Sequence, residues 1–177
     1  AALALGKFAD LAQGAKLLRK DEARIQQCLL GALQDVEEEL EVRRRALEAA
    51  ASFNTEDIKA YIQWAYESED TDLRGSSLYA MGKTGEPFWL EILVKELNSS
   101  VPPLRYEAAN ACGELNDEDA APHLIPLLQD DDLQVQLVGK QGDGFNDSKI
   151  VEVTRQSRYE GAVYLQDMQW QALEVGH

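Results

Sequence analysis

Three stretches decide the fold: VRRRALEAAASF from Val42, LRGSSLYAMGKT from Leu73 and LRYEAANACGEL from Leu104. Each opens on an apolar–arginine pair, and the pair recurs every 31 residues, at Val42-Arg43, Leu73-Arg74 and Leu104-Arg105. Small or apolar residues follow in phase at Ala46/Ser77/Ala108, Ala49/Ala80/Ala111 and Ala50/Met81/Cys112. A fixed period of roughly 20–50 residues marks a repeat array. Neither helix of such a unit buries its face alone, so stacked neighbours complete the core. The expected fold is all-α: a solenoid, or superhelix, of stacked antiparallel helix pairs ending in a degenerate C-terminal segment.

Working outward, the units fall at residues 39–70, 71–100 and 101–131, each reading helix, short turn, helix. Ile62/Leu93/Leu124 and Tyr66/Leu97/Leu128 stay in register on the second helices at i, i+4, a buried stripe. Gly82 and Gly113 are expected to end the leading helices as left-handed caps, with Ala51 in the same slot of the preceding unit. Thr55 is the expected N-cap of a second helix, and Pro87 suits a first helical turn. Upstream, Ala4-Leu5-Gly6-Lys7 matches Ala80-Met81-Gly82-Lys83, so residues 1–35 read as a first unit with about twelve extra residues between its helices. Its second helix is predicted over ARIQQCLLGALQ, with Ile25, Leu29, Ala32 and Leu33 inward. The start at Ala1-Ala2-Leu3 without Met reads as mid-helix and predicts a fragment of a longer chain.

After Gln134 the phrase decays. Gln136 replaces the arginine, and Gly139, Gly142 and Gly144 interrupt what should be another leading helix. The expected organisation is therefore an array over residues 1–138 and a tail over 139–177. In that tail Ile150–Val153 and Ala162–Leu165 fit short strands, while Ala162, Leu165, Met168 and Ala172 fit one helical face.

A net charge of −15 disfavours nucleic acid and an anionic membrane surface as partners. It would steer a basic protein towards the chain, or simply keep the chain soluble. The 45% hydrophobic content excludes wholesale disorder. Cys28 and Cys112 cannot form a disulfide framework, and Cys112 falls on a small-apolar packing position. With no run of 18 apolar residues and no signal-peptide pattern, a cytoplasmic location is the default expectation.

The phrases DLRGSSLYAMGKTGEPFWLEILVKELN and PLRYEAANACGELNDEDAAPHLIPLLQDD resemble HEAT repeats of the short type found in phycobilisome-lyase-like proteins. The resemblance is strong over residues 39–132 and partial over 1–35, whereas ankyrin and tetratricopeptide patterns fit worse. It implies a scaffold that binds a partner, and not an enzyme. The alternative it implies is a bilin lyase or chaperone-like subunit of the phycobilisome-lyase type. The repeat phrase marks shape rather than that chemistry, so no catalytic residue is carried over.

Chemistry-bearing constellations are few. His123 and His177 are the only histidines, no C-x-x-C, H-E-x-x-H or G-x-S-x-G occurs, and VGKQGDGFND lacks the order of a phosphate loop. No metal or cofactor is expected. Arg43, Arg74 and Arg105 form a structural ladder bridging neighbouring repeats or, in the functional alternative, an anion-binding stripe. Trp89 falls inward, whereas Trp64 and Phe88 fall off the buried stripe and Tyr61 and His123 share a flanking register. Second helices line the concave side of helical solenoids, so Tyr61, Trp64, Phe88 and His123 are the candidate partner-binding strip, scattered exposed aromatics being the plainer reading. Acid clusters Glu37-Glu38-Glu39-Glu41, Glu67-Glu69-Asp70-Asp72 and Asp130-Asp131-Asp132 fall where one repeat hands over to the next. They form a solvated edge or a docking rim for a basic partner.

Overall fold

The computed structural model describes residues 19–115 and 117–141, and among these there is no strand. The helices are α1 (Arg19–Gln34), α2 (Leu40–Ala50), α3 (Glu56–Tyr66), α4 (Thr71–Thr84), α5 (Leu90–Glu96), α6 (Pro102–Leu115), α7 (Ala121–Leu124) and α8 (Leu133–Gln141), with 3₁₀ turns at Ala51–Phe53, Pro87–Trp89, Glu118–Ala120 and Ile125–Gln129. Leading helices α2, α4, α6 and α8 stack on one another in sequence, and each trailing element packs against the leading helix that follows it. Over the described residues this is an all-α solenoid. The expected first-unit leading helix and loop at residues 1–18, and the tail beyond residue 141, lie outside the described residues.

The in-phase small residues line the contacts between leading helices. Ala46, Ser77 and Ala108 are fully buried, as are Ala50, Met81 and Cys112 in the next register. Helix α4 lies between α2 and α6 and so buries residues on several sides, from Leu73 through Ser76, Leu78 and Met81 to Thr84. Trailing helices contribute Leu29, Leu33, Ile58, Ile62, Leu93, Leu97 and Leu124. Ile25 and Ala32 are only half-buried, and so are Tyr66 and Leu128 of the expected stripe.

Helix ends differ from the sequence expectation. Gly82 and Gly113 lie inside α4 and α6 rather than at their caps. A methyl on Gly82 would stand 2.6 Å from Ala111 Cα, so this glycine is required by close approach of two helices. The left-handed positions come three residues later, at Asn54 (φ 48°) and Gly85 (φ 68°), which are themselves one period apart. Thr55 occupies the N-cap position of α3 without a side-chain capping bond, whereas Asp70 caps α4 by accepting from the Leu73 N–H at 2.8 Å. In the fourth unit the trailing element breaks into α7 and a 3₁₀ turn, because Pro122 and Pro126 each remove a backbone donor. Helix α8 forms across Gly139 despite its glycine.

Two glycine substitutions separate these roles. Gly82→Ala is expected to destabilise by about 1–3 kcal/mol through overpacking against the α6 backbone. Gly31→Ala, where an added methyl meets nothing within 4 Å, should be neutral or stabilise by about 0.5–1 kcal/mol through helix propensity. Urea denaturation of both variants checks this, and equal midpoints would remove the close-approach argument.

Candidate functional site

The arginine opening each unit sits in the first turn of its leading helix, half-buried and pointing at the end of its unit. Arg74 pairs with Glu96 at 3.1 Å, and Glu96, only 4% exposed, also accepts from the Tyr66 hydroxyl at 2.8 Å. Arg105 grips Asp130 with both arms of its guanidinium, at 2.8 and 2.6 Å, and donates to the Ser99 carbonyl of the preceding unit. Gln136, in the same slot of α8, donates to the Asp130 carbonyl. Arg43 donates through Nε to the Leu33 carbonyl, and its guanidinium lies over the Trp64 ring, 4.6 Å from the centroid. Planar guanidinium suits both uses, since it forks onto carboxylates and stacks on aromatic faces.

On the trailing helices Trp64 is 41% and Phe88 56% exposed, while Trp89 is 4% exposed and belongs to the core. Tyr61 meets Trp64 edge to face with ring centroids 6.5 Å apart. Phe88 stacks at a tilt on Trp89 and lies under the Lys59 ammonium. Lys59 in turn pairs with Glu56 and Glu86, each at 3.1 Å. Of the four candidate strip residues, then, Tyr61 and Trp64 touch. Phe88 meets their helix through Lys59, and His123 is exposed on α7 without a ring contact among the described residues.

The acid clusters are partly absorbed by local structure. Glu41 binds Arg44 and Arg45, which hold its carboxyl below the usual value, and Asp132 accepts the Gln134 and Val135 amides that open α8. Glu48, Ser76 and Arg44 form a second polar group on the leading helices, beside a hollow of about 170 Å³ also lined by Asp72, Tyr79 and Glu107. Burial, and then the nearby Glu48 charge, push the Glu107 carboxyl up. The sequence pattern did not single out Glu96 or Asp130 as partners of the arginines. The available signal was Glu96 itself, a lone acid three residues after Leu93 on a stripe that should be apolar. Among the described residues no group of His, Cys, Asp and Glu is arranged to hold a metal ion, and no helix is long and apolar enough to cross a membrane.

Residues 58–138 match the family model described as HEAT repeats, covering the trailing helix of the second unit through the start of the fifth. That stretch is HEAT-like in sequence as well as in its helix stacking. None of the curated proteins matches the chain.

Two measurements probe this framework. The Arg105 fork holds the Asp130 carboxyl below its ordinary value. The unfolded chain therefore protonates first as pH falls, so the stabilisation is full above the ordinary carboxylate range and is lost as pH drops through the folded value. Arg105→Ala should cost about 2 kcal/mol near neutrality, and the gap from wild type should narrow below about pH 4. A gap that stayed constant well below about pH 4 would contradict the charge-assisted fork. For the thiols, burial and then the Asp117 charge push Cys112 up to about 12, whereas Cys28 is exposed. A thiol reagent should modify Cys28 in the native protein and Cys112 only after denaturation.

Proposed function

We propose that the chain is a protein-interaction scaffold whose partner docks on the trailing-helix face, with Trp64 and Tyr61 as anchors. The observation that carries this reading is the exposure of Trp64, a large apolar side chain held by Arg43 and Tyr61 on a face the stack does not cover. Folding gains little from an indole in that place. Buried aromatic anchors, by contrast, dominate protein interfaces. HEAT repeats generally serve as partner-binding scaffolds, which agrees with the match over residues 58–138. Phe88, one unit further along, extends the anchor set, and His123 marks its far end. The net charge of −15 makes association salt-sensitive and favours a partner that is basic around its contact segment.

The test combines Trp64→Ala with Phe88→Ala. Partner capture from the native source should weaken by about 2 kcal/mol or more in affinity, while the thermal midpoint stays close to wild type. A large loss of stability with capture intact in the surviving fold would show both residues to be packing elements, and the docking face would have to be given up.

A further inference from the structure

Arg43 differs from its siblings in one respect. Arg74 and Arg105 each meet a carboxylate from the end of their own unit, whereas no carboxylate meets Arg43 among the described residues. The reason is in the sequence. Arg74 finds Glu96 22 residues later, and the same count from Arg43 reaches Ala65, which is fully buried. Arg105 finds Asp130 25 residues later, and that count from Arg43 reaches Ser68. Both places from which this fold supplies a counter-charge are therefore neutral in the second unit. The guanidinium is fixed instead by one bond from Nε to Leu33 O and by the Trp64 ring beneath it. Both terminal nitrogens keep their donors without an acceptor among the described residues.

The surroundings leave room for one. Ala60, one turn before Trp64, is exposed with a minimal side chain, and Gly31 on α1 has nothing within 4 Å of where a Cβ would stand. We propose that Arg43, stacked on Trp64, is the receiving site for one carboxylate side chain of the docked protein segment, which supplies from outside the counter-charge that Glu96 and Asp130 supply from within. This rests on the docking reading above and narrows it. A carboxylate suits the site better than a phosphate. It is the group this fold already matches to the same arginine slot twice, and its single charge is repelled less by Glu37, Glu38 and Glu39 ahead of α2. The partner segment thus carries an acidic residue beside an apolar one that lies on Trp64, within flanks that the acidic surroundings require to be basic or neutral.

The experiment selects binders from a displayed library of random twelve-residue peptides on the wild-type protein, then measures the enriched peptides by fluorescence anisotropy. Enriched peptides are expected to share one Asp or Glu next to an apolar residue. Changing that acid to its amide, or Arg43→Gln in the protein, should each weaken binding about tenfold, and the two together should cost little more than either alone. The peptide-side change needs no protein variant, so it stands even if Arg43→Gln lowers stability. Two independent, additive losses would overturn the proposal, since the acid would then be received elsewhere. Peptides that bind without any acid, and lose binding on Trp64→Ala, would overturn the carboxylate site and leave the aromatic docking face intact. No enrichment at all would overturn both.

Discussion

The leading helices approach so closely that a single methyl group has no room at Gly82, where it would sit 2.6 Å from the Ala111 backbone. That contact sets the rest of the structure. A row of helices at this spacing favours small side chains at its seams, and Ala, Ser, Gly and Cys fill the small-residue columns and are buried there, with Met81 the larger member of its column. Such seams contribute dispersion contacts at high density but little apolar area per residue. Larger aliphatic side chains come from both sets of helices: Leu47, Leu73, Leu78 and Leu104 from the leading ones, and Ile58, Ile62, Leu93, Leu97 and Leu124 from the trailing ones, which wedge against the next leading helix. Each unit is therefore completed only by its neighbour.

Stacking alone leaves the polar ends of the helices unpaired, and the opening arginine answers that at each unit with whatever the unit offers. Arg105 has Asp130 and a carbonyl, Arg74 has Glu96, Gln136 has only a carbonyl, and Arg43 has a carbonyl and an indole face. The slot is kept in register by packing, and its partner is free to vary. Glu96 is buried with two donors, Arg74 and Tyr66, so its charge is compensated where an unpaired carboxylate would be strongly disfavoured.

The period and the inward residues were legible because repetition multiplies a weak pattern: three copies place Ala46, Ser77 and Ala108 in one column, and all three are buried. Helix ends were harder. Gly82 and Gly113 fit the cap slot by residue type, yet glycine serves close approach as well as positive φ, and a column of Ala51, Gly82 and Gly113 signals small size rather than left-handed backbone. The column three residues later, Asn54, Gly85 and Asn116, holds residue types that share tolerance of positive φ and little else, and its first two members adopt it. The exposure of Trp64 and Phe88 followed from helical spacing. Their partners did not, because Arg43 over Trp64 and Lys59 over Phe88 join residues whose separation depends on the packing of two helices.

A repeat array supplies its own control for what packing needs. The register holding Trp64 holds Lys95 and Pro126 in the next two units, and all three side chains are exposed. Exposed indole is unfavourable there, and the fold covers Trp64 only in part, leaving it 41% exposed. Instead the second unit lacks a carboxylate at 65 and at 68, so the Arg43 guanidinium is available to lie on the ring. Two departures from the repeat, an exposed tryptophan and a missing acid, thus fall at one point and complement each other chemically. A solenoid that needed only stability would more readily repeat the Arg–carboxylate pair of its neighbours. Coincident departures at one exposed point are what a docking site requires, because a partner can use only the groups that the fold has left unused.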